Sequence, residues 1–220
     1  AEPALRERLC SAWTVTLHHQ VLHTLAAALQ ASPHADQARE ARALQAEAAA
    51  VQADFQQHLM PGGVVTGYAL FPPGPAGAAP ERYLLHPQDA LTGVRYSLLP
   101  MMHAILDDML SPAQAATHLG LIEAHLLGPD GARLFDRPLP YRGGPMTLFQ
   151  RAESSAFFGR EIGVMYMHAH LRWAETLAHL GEARALLDAL SLAHPVGLRE
   201  RLPQAGLRQS GESVSDVALD

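Results

Sequence analysis

The sequence predicts an all-α fold of paired antiparallel helices, part of an α/α toroid with long ordered loops. Three observations carry that expectation. Apolar residues recur at helical spacing in successive stretches of the chain. Ser-Pro starts and Gly or Pro stops punctuate these stretches so that they arrive in pairs. No buried β-branched runs alternate with them, as a parallel β/α fold would require.

The first helix is expected over Pro3 to Gln30, where Leu5, Leu9, Ala12, Trp13, Thr16, Leu17, Leu22, Leu25 and Leu29 share one broad face. Ser32-Pro33 restarts the pattern as a cap and first-turn proline, and an alanine-rich second helix runs to Met60. Pro61-Gly62-Gly63 stops it, Val64 to Phe71 reads as extended, and Pro72 to Pro80 as a solvated loop. A third helix is expected from Leu98 to Leu110, with Pro100 tolerated in its first turn. Ser111-Pro112-Ala113-Gln114 has the form of a capping box and opens a fourth helix reaching about Leu127. From Ala132 to Phe158, prolines, glycines and charges are too dense for one continuous element, which makes this a long ordered or functional loop. A fifth helix from Ile162 to Leu180 and a sixth from Glu182 to Leu192 are separated by Gly181, and His194-Pro195-Val196-Gly197 closes the series.

Composition excludes several classes of function. The 220 residues carry 16 basic side chains, all arginine, against 22 acidic ones, a net charge of -6 that disfavours nucleic acid. No apolar run approaches the length of a membrane span. Cys10 stands alone, so neither a disulfide framework nor a cysteine zinc site is available; a lone buried thiol is compatible with a reducing cytoplasm, the expected location. Phosphate-cradling glycine motifs, Gly-x-Ser-x-Gly elbows and zinc signatures are missing. His18, His19 and His23 lie on one predicted helix, but no carboxylate at a supporting spacing accompanies them, and no metal is expected.

Two segments carry the density of charge and glycine that ligand loops need. The first is Asp136-Arg137-Pro138-Leu139-Pro140-Tyr141-Arg142-Gly143-Gly144, where a diglycine permits close approach to a sugar or anion and the prolines stiffen the loop. In the second, Arg151, Glu153, Arg160 and Glu161 bracket Phe157-Phe158 and lead into an apolar helix carrying His168 and His170. Two residues apart on a helix, those histidines point about 200° apart and must serve different ends.

These residues resemble the inverting glycoside phosphorylases typified by cellobiose and chitobiose phosphorylase. Glu161, Gly163, Tyr166, His168 and Trp173 follow that family's order and spacing, and His194-Pro195-Val196-Gly197 is similar to its later turn. The stretch from Tyr83 to Arg208 resembles a bacterial cellobiose-phosphorylase-like branch; Val164 and Ile162 depart from the family pattern. The resemblance implies that residues 1–220 form a later portion of an (α/α)6-barrel catalytic domain, with helix faces left apolar for the rest of the barrel. It implies that Glu161 contacts a sugar hydroxyl and His168 binds phosphate with Arg160 or Arg208, while Tyr141, Arg142, Arg151 and Glu153 are candidates for the substrate. The partners are then a carbohydrate and inorganic phosphate as co-substrate, with no other cofactor, and a homodimer is the expected assembly of the full-length enzyme. The acid that protonates the leaving oxygen, an aspartate in the family, is expected upstream of Ala1. Two other readings stay open: a hydrolase on the same barrel, with Glu153, Glu161 or Asp136 as base, and a non-catalytic helical sugar-binding module.

Overall fold

A computed structural model describes residues 7–74, 77–139, 164–203 and 214–218. The fold is mostly helical with small sheets, which amends the all-α expectation. Strand β1 (Leu9–Ser11) precedes helix α1 (Ala12–Gln30) and pairs antiparallel with β2 (Tyr68–Leu70), which pairs in turn with β3 (Arg82–Leu84). Helix α1 therefore starts at Ala12 and not at Pro3. Leu9 stands opposite Leu70 in the sheet, and the Ser11 hydroxyl caps the helix by accepting from the Thr14 N–H at 3.3 Å.

Helix α2 (Ala35–His58) returns along α1 and ends two residues before the expected Met60. Its buried Ala41, Ala48 and Phe55 recur every seven residues and meet Ala12, Thr16, His19, Leu22 and Ala26 of α1. Small side chains at this narrow seam let the two backbones approach closely.

Helix α3 (Leu98–Leu106) is the most deeply buried, with Leu98, Met101, Met102, Ala104 and Ile105 all in the core. Pro100 falls in the first turn as expected, where the missing N–H has no intrahelical acceptor. The helix stops at Leu106 instead of Leu110 because Asp108 adopts a left-handed φ of 52°. The Met109 N–H then donates to the Ala104 carbonyl at 3.0 Å and the Asp108 N–H to Ile105 at 3.1 Å, a Schellman closure. Helix α4 (Pro112–His125) opens with the capping box read from the sequence. The Gln114 N–H donates to Ser111 Oγ at 3.3 Å and the Ser111 N–H to Gln114 Oε1 at 2.8 Å. It ends at His125, because β4 (Leu127–Gly128) folds back on β5 (Gly131–Ala132) around Pro129-Asp130.

Residues 164–166 form β6 (Val164–Tyr166), paired with β7 (Val214–Ala218), so helix α5 spans Met167–His179 and not Ile162 to Leu180. Gly181, at φ 78°, closes α5 with the Glu182 N–H on Leu177 and the Gly181 N–H on Ala178, the same motif that ends α3. Helices α6 (Ala183–Ala193) and α7 (Leu198–Arg201) follow.

Helices α3 and α5 run in the same direction. At their N-terminal ends both meet the chain around β5, through Leu98 N–H to Leu134 and Ala132 N–H to His170; at the other end His179 pairs with Asp108 at 3.0 Å. Two long connections, 59–97 and 126–166, enter at the N-terminal ends of α3 and α5, and three short ones, 31–34, 107–111 and 180–182, leave the C-terminal ends of α1, α3 and α5. Leu171, Leu190 and Val196 remain exposed around one depression beside α5, α6 and α7, with Leu187 of α6 exposed as well. Among the described residues, no helix is long and apolar enough to cross a membrane.

Candidate functional site

The N-terminal ends of α3 and α5 are floored by three short extended segments laid side by side. Ser97 bridges to Phe135, Arg133 bridges to Met165, and the Arg133 N–H donates to Leu126 at 2.8 Å. Gly131 makes this layering feasible. Its φ of 130° belongs to glycine, and a Cβ there would sit 2.8 Å from His170 Nδ1 and 2.9 Å from Met165 Cγ. Within the adjoining β4–β5 turn, Arg133 pairs with Asp130 at 2.8 Å in near-complete burial, its guanidinium resting where a side chain on Gly128 would lie.

On that floor the two histidines of α5 separate as their spacing requires. His170 is buried: its Nδ1 accepts from the Ala132 N–H at 3.1 Å, so its Nε2–H donates to the Ala189 carbonyl at 2.8 Å. Both ring nitrogens are used in joining β5, α5 and α6, and the neutral tautomer is fixed. His168 is exposed, one residue past the start of the helix, with the Tyr166 ring edge-on at 4.0 Å and 68°. Tyr166 restricts the imidazole's swing while leaving it open to a ligand. One helical turn on, Arg172 pairs with Glu175 at 2.5 Å on the exposed face of α5.

Of the other predicted site residues, Tyr141, Arg142, Arg151, Glu153, Arg160, Glu161 and Arg208 lie outside the described residues. Asp136, a base candidate for a hydrolase, is committed elsewhere. Its Oδ1 accepts the N–H groups of Arg95 at 2.8 Å and Tyr96 at 3.0 Å, and its Oδ2 accepts from Arg137 Nε at 3.1 Å. Those bonds clamp the segment before α3 and use three of the carboxylate's roughly four acceptor positions.

Of the α1 histidines, His19 is buried in the helix seam while His18 and His23 are exposed. His19 and His23 stack nearly parallel, 6.2 Å apart, and burial, with His23 beside it, holds the His19 imidazole below its ordinary value. Among the described residues no three metal-type side chains converge. Cys10 is half-buried in β1, where burial pushes its thiol up.

Sequence reasoning missed one buried pair at the opposite end of α3. His103 Nδ1 faces Asp107 Oδ2 at 3.9 Å; the side chains are 7% and 5% exposed, and neither atom has a hydrogen-bond partner. Burial first, then Asp108, pushes the Asp107 carboxyl up to about 7, while burial and Arg172 hold His103 below its usual range. The signal was legible: two titratable residues four apart on a helix otherwise apolar.

No family model matches the chain. A comparison with curated proteins finds similarity to a 1,2-beta-oligoglucan phosphorylase of Listeria innocua serovar 6a. The two are 35% identical over 222 aligned residues, which cover 100% of this chain. The chain spans 19% of the length of that relative.

Proposed function

We propose that the chain is one stretch of a longer inverting glycoside phosphorylase acting on β-linked glucose oligosaccharides, with β-1,2-linked chains as the preferred substrate class. The observation that carries this reading is the end-to-end similarity to a protein named for phosphorolysis of 1,2-beta-oligoglucan. It agrees with the phosphorylase resemblance and, for a sugar and linkage that the sequence left open, favours β-1,2-linked glucose. The paired helices, the common direction of α3 and α5, and the open apolar edge at Leu171, Leu187, Leu190 and Val196 support an (α/α)6 barrel to which further helices would add. A homodimer stays part of the proposal for the whole enzyme.

In this reading the long connections gather the reactants at the N-terminal ends of α3 and α5. Phosphate is held by His168, with Arg160 and Arg208 offsetting its charge. Glu161 accepts from a sugar hydroxyl, and Tyr141, Arg142, Arg151 and Glu153 line the approach of the oligosaccharide. A phosphate oxygen attacks the anomeric carbon from the face opposite the leaving oxygen. The C1–O glycosidic bond breaks, a carboxylic acid from elsewhere in the longer protein donates its proton to the departing oxygen, and an α-sugar 1-phosphate forms. Phosphate is already an anionic nucleophile, so the protein supplies position and compensating charge rather than a base. His168 suits that task because folding uses neither of its ring nitrogens in any bond among the described residues, whereas His170 spends both.

The test is a comparison of His168→Ala with the unaltered longer enzyme. The expected result is a rise in KM for phosphate of at least about tenfold, the worth of a charge-assisted hydrogen bond, with KM for the oligosaccharide little changed. Equal losses for both substrates would count against the phosphate role.

A further inference from the structure

The clamp at Asp136 holds more positive charge than it neutralises. The carboxylate is 5% exposed and faces two guanidinium groups, Arg137 Nε at 3.1 Å and Arg95 Nε at 3.8 Å, both against Oδ2. Its other oxygen is taken by two backbone N–H groups, which add no negative charge. Among the described residues, one carboxylate against two arginines leaves a net positive spot on a chain whose formal charge is -6. Each arginine meets Asp136 through Nε, and the side chains stay 45% and 50% exposed.

The pair is also held in place. Arg95 lies 5.5 Å over the Tyr96 ring, and Tyr96 stacks on His125 at 4.4 Å and 7°. A planar guanidinium fixed on one edge can offer its remaining N–H groups to phosphate oxygens with little further loss of freedom. Arg95 lies three residues before the start of α3, and Arg137 two residues past Phe135, which bridges to Ser97, so both stand at the end that carries His168.

We propose that Arg95 and Arg137 form a second phosphate-recognising site at this end of the molecule, taking the phosphate group of inorganic phosphate or of a sugar 1-phosphate on its way to or from the reaction. The assignment of these ligands rests on the phosphorylase reading; the anion site itself rests on the geometry.

The arginine Nε–Hε signals of this chain report on it directly in 1H–15N spectra, titrated with inorganic phosphate, with α-glucose 1-phosphate, and with chloride at equal ionic strength. Saturable shifts at Arg95 and Arg137 are expected for the phosphate compounds and not for chloride. Tighter binding of the sugar phosphate identifies it as the ligand, and equal affinities assign the site to the phosphate group alone. Arg95→Gln and Arg137→Gln should each weaken binding by about tenfold, Arg137→Lys should restore part of it, and His168→Ala should leave it unchanged. Asp136 keeps its two backbone bonds in these variants, so melting temperatures should stay within about 3 °C of the parent. Saturable binding abolished by His168→Ala and untouched by the arginine variants would overturn this site while leaving the phosphorylase reading intact. Shifts reproduced by chloride would overturn it as well. Binding at the arginines in a longer enzyme that releases no phosphate would uphold the site and remove the phosphorylase reading.

Discussion

The two ends of the helical layer are built differently. At the C-terminal ends of α3 and α5, connections 107–111 and 180–182 are short, and both helices close by the same Schellman motif, through Asp108 and Gly181. At the N-terminal ends the chain enters through 59–97 and 126–166, whose described parts supply the floor of extended segments at Ser97, Arg133, Phe135 and Met165. The first end is closed by backbone hydrogen bonds and burial, which leave His103 Nδ1 and Asp107 Oδ2 without partners. The second holds side chains that folding does not consume, of which His168 is the clearest among the described residues. The comparison teaches that a ligand site is to be sought where polar side chains stay open to solvent after the fold has satisfied its own needs, and His170, two residues away, shows the opposite case.

The floor of the long-connection end should be the most sensitive to change. Gly131→Ala forces a Cβ against His170 and Met165 at a φ suited to glycine, and a loss of about 2–4 kcal/mol in urea unfolding is expected. A loss under 1 kcal/mol, well below that estimate, would mean the three segments are not held as tightly as drawn. His170→Ala removes two buried hydrogen bonds and should cost about 2–3 kcal/mol by the same measurement.

At the short-connection end the Asp107–His103 pair predicts a pH response. Asp107 keeps its proton up to about 7 in the folded chain, above its unfolded value, so its contribution is fully present below about pH 4 and lost as pH rises to about 7. His103 acts in the other direction: the folded chain refuses a proton that the unfolded chain accepts, so stability falls as pH drops below about 6.5. Asp108, Arg172, Glu175 and His179 surround the carboxyl, and Arg172 and Glu175 act on His103 as well. Asp107→Asn should therefore stabilise the chain at pH 8 relative to pH 5, by an amount on the order of 1–2 kcal/mol in paired melting curves. An unchanged difference between the two pH values would show that Asp107 ionises normally.

Smaller effects sharpen the contrast. Ser111→Ala, which removes half of the α4 capping box, should cost about 1 kcal/mol. His168→Ala should change stability by less than about 0.5 kcal/mol, because the side chain is exposed. A large loss there would make His168 a structural residue like its neighbour.

Much of the helical frame was legible in the sequence. The capping box at Ser111, the first-turn Pro100 and the stop at Gly181 each act locally, so a single sequence displays them. The strands were harder to read. Leu9–Ser11 is three residues long and pairs with Tyr68–Leu70 far along the chain; its leucine continues the helical spacing of α1, and period-two alternation has no room to appear. Asp130-Gly131, between β4 and β5, is a hairpin signal, but strands of two residues leave no alternation around it to read. The divergence of His168 and His170 followed from helix geometry alone. Which of them would be buried did not, since that depends on the carbonyl of Ala189 and the N–H of Ala132, set by tertiary packing.

The central claim is tested most directly by phosphate release from α-glucose 1-phosphate in the presence of a β-1,2-linked glucose oligosaccharide, measured on the longer enzyme proposed to contain this chain. The account predicts release that depends on the acceptor and lengthens it by one β-linked glucose, with cellobiose a poorer acceptor. Release of reducing sugar from the oligosaccharide in phosphate-free buffer, with no turnover of α-glucose 1-phosphate, would contradict it.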